Sequence, residues 1–184
     1  MKRTMKENEI KWIQQNDTET VIETLMDEYG TPLTKLAFSY TRDWARAEDI
    51  VQDVFITCFH KITTFRGDST IKTWLYRITV NRCKDSLKTW SIRNIDVGLR
   101  HAAYYKDNPE PTPEEAVIRS SDNQILANCV MELPTKYLEV IVLYYYSGLK
   151  IEEVAQTLHK NAKTIRTRLR RGRKLLRDLY EEAN

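Results

Sequence analysis

Three prolines, Pro109, Pro111 and Pro113, fall inside the stretch SIRNIDVGLRHAAYYKDNPEPTPEEAV, and no helix can run through them unbroken. Each removes a backbone donor and biases the preceding residue toward extended structure. On either side apolar residues recur at helical spacing, from about Asp17 to Thr89 and again from about Ser120 onward, while alternating strand-like runs are scarce. The pattern predicts an all-α chain, two small helical domains joined by a flexible linker. We expect an N-terminal extension over 1–20, a first domain over 21–90, a linker over 91–119 and a second domain over 120–184. No repeat of fixed period relates the two blocks, so they are different objects.

The 184 residues are 41% hydrophobic, enough to form a core. Net charge is only +3 although 30% of residues are charged, so any strongly basic stretch must be balanced by acidic ground elsewhere. Cys58, Cys83 and Cys129 are far apart, odd in number and without C-x-x-C spacing, which argues against a disulfide framework and against a zinc site. Buried, reduced thiols are expected instead. The start MKRTMKENEIKW has charges but no apolar signal segment, and no run approaches a membrane span, so a cytoplasmic protein is expected.

The basic ground is NAKTIRTRLRRGRKLL, Asn161 to Leu176. Ahead of it, Leu133-Pro134 opens a helix that Gly148 can close with a left-handed cap, and KIEEVAQTLHK forms a short helix with Val154, Ala155 and Leu158 inward. Asn161 is placed to cap the next helix, and so short a turn predicts helix-turn-helix. In the last helix Ile165, Leu169, Gly172, Leu176 and Leu179 make one buried stripe. Arg166, Arg170, Arg173 and Arg177 line a neighbouring stripe, and Lys163, Thr167, Arg171 and Lys174 another. With no acidic i,i+4 partner before Asp178, these charges repel one another unless a polyanion covers them. In such a motif the second helix enters the major groove. Lys163, Thr164, Arg166, Thr167 and Arg168 are candidates for base contacts, and Arg170, Arg171 and Lys174 for phosphate contacts. A solvated basic face is the plain alternative.

Two stretches stand out in the first domain. In RDWARAEDIVQDVFITCFHKI, Val51, Phe55, Cys58 and Ile62 share a buried face, whereas Asp49, Gln52, Asp53, Ile56 and His60 fall on another. Acid, amide and exposed aliphatic together suit a basic protein partner, or else mark an ordinary acidic solvent face. In FRGDSTIKTWLYRITVNRCKDSLK, Gly67 marks a turn, Asp68 or Ser69 can cap a helix, and Arg77, Asn81, Lys84 and Lys88 form a basic stripe beside Trp74 and Tyr76. Aromatic rings beside cations suit single-stranded DNA, although Trp74, Leu75 and Ile78 read equally as core.

AEDIVQDVF, then STIKTWLYRITVNRCKDSL, then a proline-containing linker, then LPTKYLEVIVLYYYSGLKIEEVAQTLHKNAKTIRTRLRRGRKLLRD, follow in an order that resembles the extracytoplasmic-function (group 4) sigma factors of bacterial RNA polymerase, from about Val21 onward. The resemblance implies that the first domain, region 2, docks its acidic helix on the β′ clamp helices through Asp49, Gln52, Asp53 and Ile56. The loop Arg66, Gly67, Asp68, Ser69 and Thr70 would hold a flipped base of the minus-10 element. Lys72, Trp74, Arg77, Asn81, Arg82 and Lys84 would lie along that DNA. The second domain, region 4, would place Asn161 to Lys174 in the major groove of the minus-35 element. The linker would thread through the polymerase. The implied partners are core RNA polymerase, through β′ and β, promoter DNA and an anti-sigma factor, with no membrane insertion of the chain itself, no cofactor and no metal. Two positions depart from the family pattern: His159-Lys160 replace a glycine and a small aliphatic in the turn, making Lys160 a candidate phosphate contact, and Ile71-Lys72 precede the TW pair.

Two other classes compete. A conventional dimeric helix-turn-helix regulator accounts for the second domain but leaves the acidic helix and the Trp74 region idle. An enzyme would need a constellation that His60, His101 and His159, scattered and without any hydrolase, P-loop or zinc-protease motif, do not supply.

Overall fold

The computed structural model describes residues 2–93 and 121–183. Most of the expected linker, with its three prolines and His101, lies outside the described residues. The chain begins with a helix that periodicity did not reveal, α1 (Lys2–Gln15). Asn16 and Asp17 turn it into α2 (Thr18–Thr41), where Asp17 Oδ1 accepts from Thr20 N at 2.9 Å and Oδ2 from the Thr20 hydroxyl at 2.8 Å. Those bonds hold the Asp17 carboxyl below the usual carboxylate range. Arg42, in the left-handed region at φ 58°, ends α2, and Asp43 caps α3 (Trp44–Lys61) by accepting from Arg46 N at 3.1 Å.

A single 3₁₀ turn, Ile62–Thr64, leads through a loop to α4 (Ile71–Arg93), which runs past the expected end of the first domain. The core is set by the 3.6-residue period: Leu25, Leu33, Leu36 and Ala37 from α2 meet Val51, Val54, Phe55 and Cys58 from α3 and Leu75, Val80 and Cys83 from α4. Each large apolar side chain buried this fully contributes about 1.5–3 kcal/mol. Cys58, Cys83 and Cys129 are buried free thiols, and burial pushes Cys58 and Cys83 up to about 12, which leaves them inert as nucleophiles.

The second domain is α5 (Ser121–Glu132), α6 (Thr135–Ile141), α7 (Ile151–Leu158) and α8 (Ala162–Ala183). The helix expected between Pro134 and Gly148 widens after Ile141 into a π-helical stretch, Val142–Tyr146, where Ser147 N reaches back five residues to Val142 O at 3.0 Å. Gly148, at φ +65°, then stops it as expected. Gly172 stands where α8 crosses α6: a Cβ there would meet Ile141 Cγ1 and Tyr137 Cβ, both at 3.3 Å. Its place in the apolar stripe is therefore one of close approach. Leu176 and Leu179, expected in that stripe, are half-buried against the core, whereas Ile165 and Leu169 are fully inside.

The two domains pack on one another, α4 against α7 and α2 against α6. The Arg42 guanidinium at the end of α2 donates to the Met131 carbonyl of α5.

Candidate nucleic-acid interface

In the second domain α7 and α8 form a helix-turn-helix built from local signals. Glu153 of α7 accepts from Lys150 N at 2.8 Å, and Asn161 Oδ1 accepts from Thr164 N at 2.8 Å to start α8. Between them His159 takes the left-handed conformation at φ 51° that the turn demands. Departure from glycine there costs about 1 kcal/mol and leaves the geometry intact. Lys163, Arg166, Arg170, Arg171 and Lys174 all face solvent, with Thr164 and Thr167 half-buried between them. Arg168 is the exception among the candidates: it turns inward to Glu139 Oε1 at 2.8 Å. Acidic partners do exist, contrary to the expectation of unrelieved repulsion. They come from other helices, Glu139 of α6 and Glu152 of α7, the latter 3.3 Å from Arg166. Sequence spacing within α8 cannot reveal them.

In the first domain a pocket opens at the loop before α4. Its walls are the Phe65 and Trp74 rings, edge to face with centroids 5.6 Å apart, and the cations Lys61, Arg66 and Arg77. Asp68 and Ser69 complete the rim, Asp68 exposed and Ser69 buried. Trp74 is packed on the core and also lines the pocket. Lys61 and Phe65 were not singled out from the sequence, although Phe65 directly precedes Arg66-Gly67. The expected cap of α4 is corrected: neither Asp68 nor Ser69 does it. Thr70 Oγ1 accepts from Thr73 N at 3.2 Å, and Glu9 of α1 accepts from Ile71 N at 3.1 Å. Gly67 needs its glycine for φ +70°.

On α3, Asp49, Gln52, Asp53, Ile56 and His60 stand together in solvent, with Ile56 57% exposed. Phe59, 43% exposed, extends the same surface and was missed, although it lies three residues from Ile56 on the helix. Asp53 is 4.0 Å from Arg82 of α4, whose guanidinium also donates to Thr57 Oγ1 at 3.2 Å. A groove between α3 and α4 collects Asp49, Asp53, Arg46 and Arg82.

The basic stripe of α4 divides. Asn81 and Lys88 are exposed and Arg77 faces the loop pocket, but Lys84 reaches across the domain boundary to Glu139 Oε2 at 2.9 Å. Glu139, 5% exposed, also accepts from the Tyr40 phenol at 3.2 Å. Burial, with the Glu139 charge added, raises the Tyr40 phenol far above its ordinary value. One buried carboxylate is thereby satisfied by three donors from α2, α4 and α8. Tyr76 meets Ser147 of the other domain, and the Lys72 ammonium lies over the Tyr76 ring at 5.9 Å. Among the described residues, no group of His, Cys, Asp and Glu could hold a metal ion and no helix is long and apolar enough to cross a membrane.

Comparison with known proteins matches residues 25–91 to sigma-70 region 2 and residues 123–176 to sigma-70 region 4. The extracytoplasmic-function sigma-E factor of Haemophilus influenzae is 31% identical, over 77% of this chain and 79% of that protein. The RNA polymerase sigma factor SigV of Bacillus subtilis is 30% identical, over 87% of this chain and 91% of its own. Among solved structures, the sigma factor RpoE of Bartonella quintana in complex with the anti-sigma factor NepR shares the fold, with a TM-score of 0.66 and 22% identity over 86% of this chain and 98% of that one. With an acidic helix, an aromatic-cationic loop pocket and a helix-turn-helix in the same order, the chain belongs to the RNA polymerase sigma factors of the extracytoplasmic-function type, which direct promoter-specific initiation.

Proposed function

We propose that this chain, a group 4 member of its family, divides promoter recognition between its two domains and performs no covalent chemistry. Asp49, Gln52, Asp53, Ile56 and Phe59 of α3 dock on basic and apolar side chains of the polymerase β′ clamp helices. The pocket of Phe65, Trp74, Arg66 and Arg77 takes an unstacked base of the minus-10 element, while Asn81, Arg82 and Lys84 follow its backbone. Lys163, Thr164, Arg166 and Thr167 face the minus-35 major groove, with Arg170, Arg171 and Lys174 on phosphates, while Arg168 stays on Glu139 and steadies the helix from within. The observation that carries this reading is the loop pocket, because aromatic walls ringed by cations fit a flipped base and have no use in a simple operator binder.

The packed arrangement also bears on how the protein works. Lys84 and Arg168 share one carboxylate, yet elements named minus-10 and minus-35 lie about 25 base pairs apart, roughly 85 Å along the duplex. Engaging both requires the domains to separate, and residues 94–120 allow a reach of roughly 90 Å if fully extended. On separation Glu139 keeps Arg168, so no bare charge is left buried. By likeness to relatives held by anti-sigma factors, we assign such a partner to this chain in the cytoplasm, where it would select the closed form.

Run-off transcription from a randomised promoter library, with core polymerase alone and with the protein added, tests the proposal. Start sites that appear only with the protein, carrying two conserved elements, are the expected result. No stimulation by folded protein, together with tight binding to duplex operators, would instead indicate a conventional regulator.

A further inference from the structure

Helix α1 lies ahead of the stretch matched to region 2 and packs on the 3₁₀ turn Ile62–Thr64, and two of its side chains reach opposite ends of the loop that forms the pocket. At one end, Ile10 Cδ1 occupies the space beside Gly67, only 2.5 Å from where a Cβ would stand. At the other, Glu9 Oε2 accepts from Ile71 N at 3.1 Å, at the first residue of α4. The segment between these anchors contains Asp68 and Ser69 of the pocket rim, and Arg66 and Trp74 flank it. Trp12 and Ile13 fix α1 itself to the core.

We propose that Glu9 and Ile10 are positioning residues for the base pocket, and that α1 is the part of the chain that holds the pocket open before DNA arrives. A helix N-terminus leaves its first N–H groups without intrahelical partners and carries partial positive charge, so a carboxylate there is favourable. Thr70 satisfies only Thr73 N; the carboxylate on Ile71 N comes from a different helix, so forming it fixes α1 against α4. Gly67 has no Cβ, so the Ile10 side chain packs directly on the loop backbone. A pocket that binds an unstacked base gains affinity from being preorganised, because the loop need not be ordered at the moment of binding. The inference rests on the proposed function for its consequence, but the clamp itself does not.

Two measurements on the full chain test it. In the free protein, amide hydrogen exchange over 66–74 should rise about five- to tenfold in Glu9→Ala, the order expected from losing a carboxylate cap. Glu9→Gln, whose amide oxygen can still accept from Ile71 N, should retain most of the protection. In the holoenzyme, Glu9→Ala and Ile10→Ala should weaken capture of a single-stranded minus-10 oligonucleotide by a similar factor while leaving core affinity and minus-35 duplex binding unchanged. Unaltered exchange in Glu9→Ala, or losses of strand capture and core affinity in equal proportion, would overturn the assignment. If wild-type holoenzyme captured no strand, the promoter reading would fall, while the exchange result would still decide the clamp.

Discussion

Helices α4 and α8 both carry basic residues beside apolar ones, yet they present them differently. On α8 the cations Lys163, Arg166, Arg170, Arg171 and Lys174 lie in solvent, available to a duplex. On α4 the basic residues are shared out: Arg77 faces the loop pocket, Arg82 pairs with Asp53, and Lys84 is held by Glu139 of the other domain. A surface that meets DNA as an intact major groove can be laid out by one helix. In the proposed function, the surface for a melted strand is assembled from loop, helix and neighbours, and with the domains packed Lys84 is occupied by Glu139.

The link between the two helices is the first place to break this comparison. Glu139→Ala leaves Arg168 and Lys84 facing a partly buried void, and should destabilise the chain by about 3 kcal/mol, read by urea unfolding. Trp74→Ala should weaken holoenzyme binding to a single-stranded minus-10 oligonucleotide by about 1–3 kcal/mol, while Trp74→Phe, which keeps an aromatic face against Phe65, loses less. On α8, Arg166→Ala should cost about 1–3 kcal/mol and relax preference at one base. Arg170→Ala should weaken all sequences alike and lower the salt slope by about 1. The exposed pair with Glu152 offsets little of the Arg166 loss, being worth about 0–1 kcal/mol. Lys84→Ala removes one interdomain bond and should shift fluorescence energy transfer between labels on α3 and α8 toward longer distance, by a population change equivalent to about 1 kcal/mol or less. The smallest effect is a gain. Thr157 Oγ1 is buried without a partner, so Thr157→Val should raise the melting temperature, by up to about 1 kcal/mol of stability, without touching either interface.

The same contrast explains what could be read from the letters. Asn161, Gly148, Val154 and Ile165 act through neighbours within one or two turns, so the helix-turn-helix was legible down to its caps. Asp49, Gln52, Asp53 and Ile56 were legible as one exposed face because α3 is uniformly periodic. What was not legible depends on partners distant in sequence. Glu139 looks like one more helical acid until Tyr40, Lys84 and Arg168 converge on it from three other helices. Helix α1 is too polar to show a stripe, its few apolar anchors Ile10, Trp12 and Ile13 gaining meaning only from Gly67 and the core. The cap of α4 was misplaced by a residue or two because Asp68, Ser69 and Thr70 are all capable caps in a row, and its other half, from Glu9, is distant in sequence.

Site-specific photo-crosslinking at positions 74 and 166, in holoenzyme on a promoter found by the run-off selection, tests the division of labour most directly. The account predicts that position 74 labels the non-template strand of the minus-10 element and only when polymerase is present, whereas position 166 labels duplex at the minus-35 element. Both positions labelling one and the same duplex site, or equal labelling without polymerase, would contradict it.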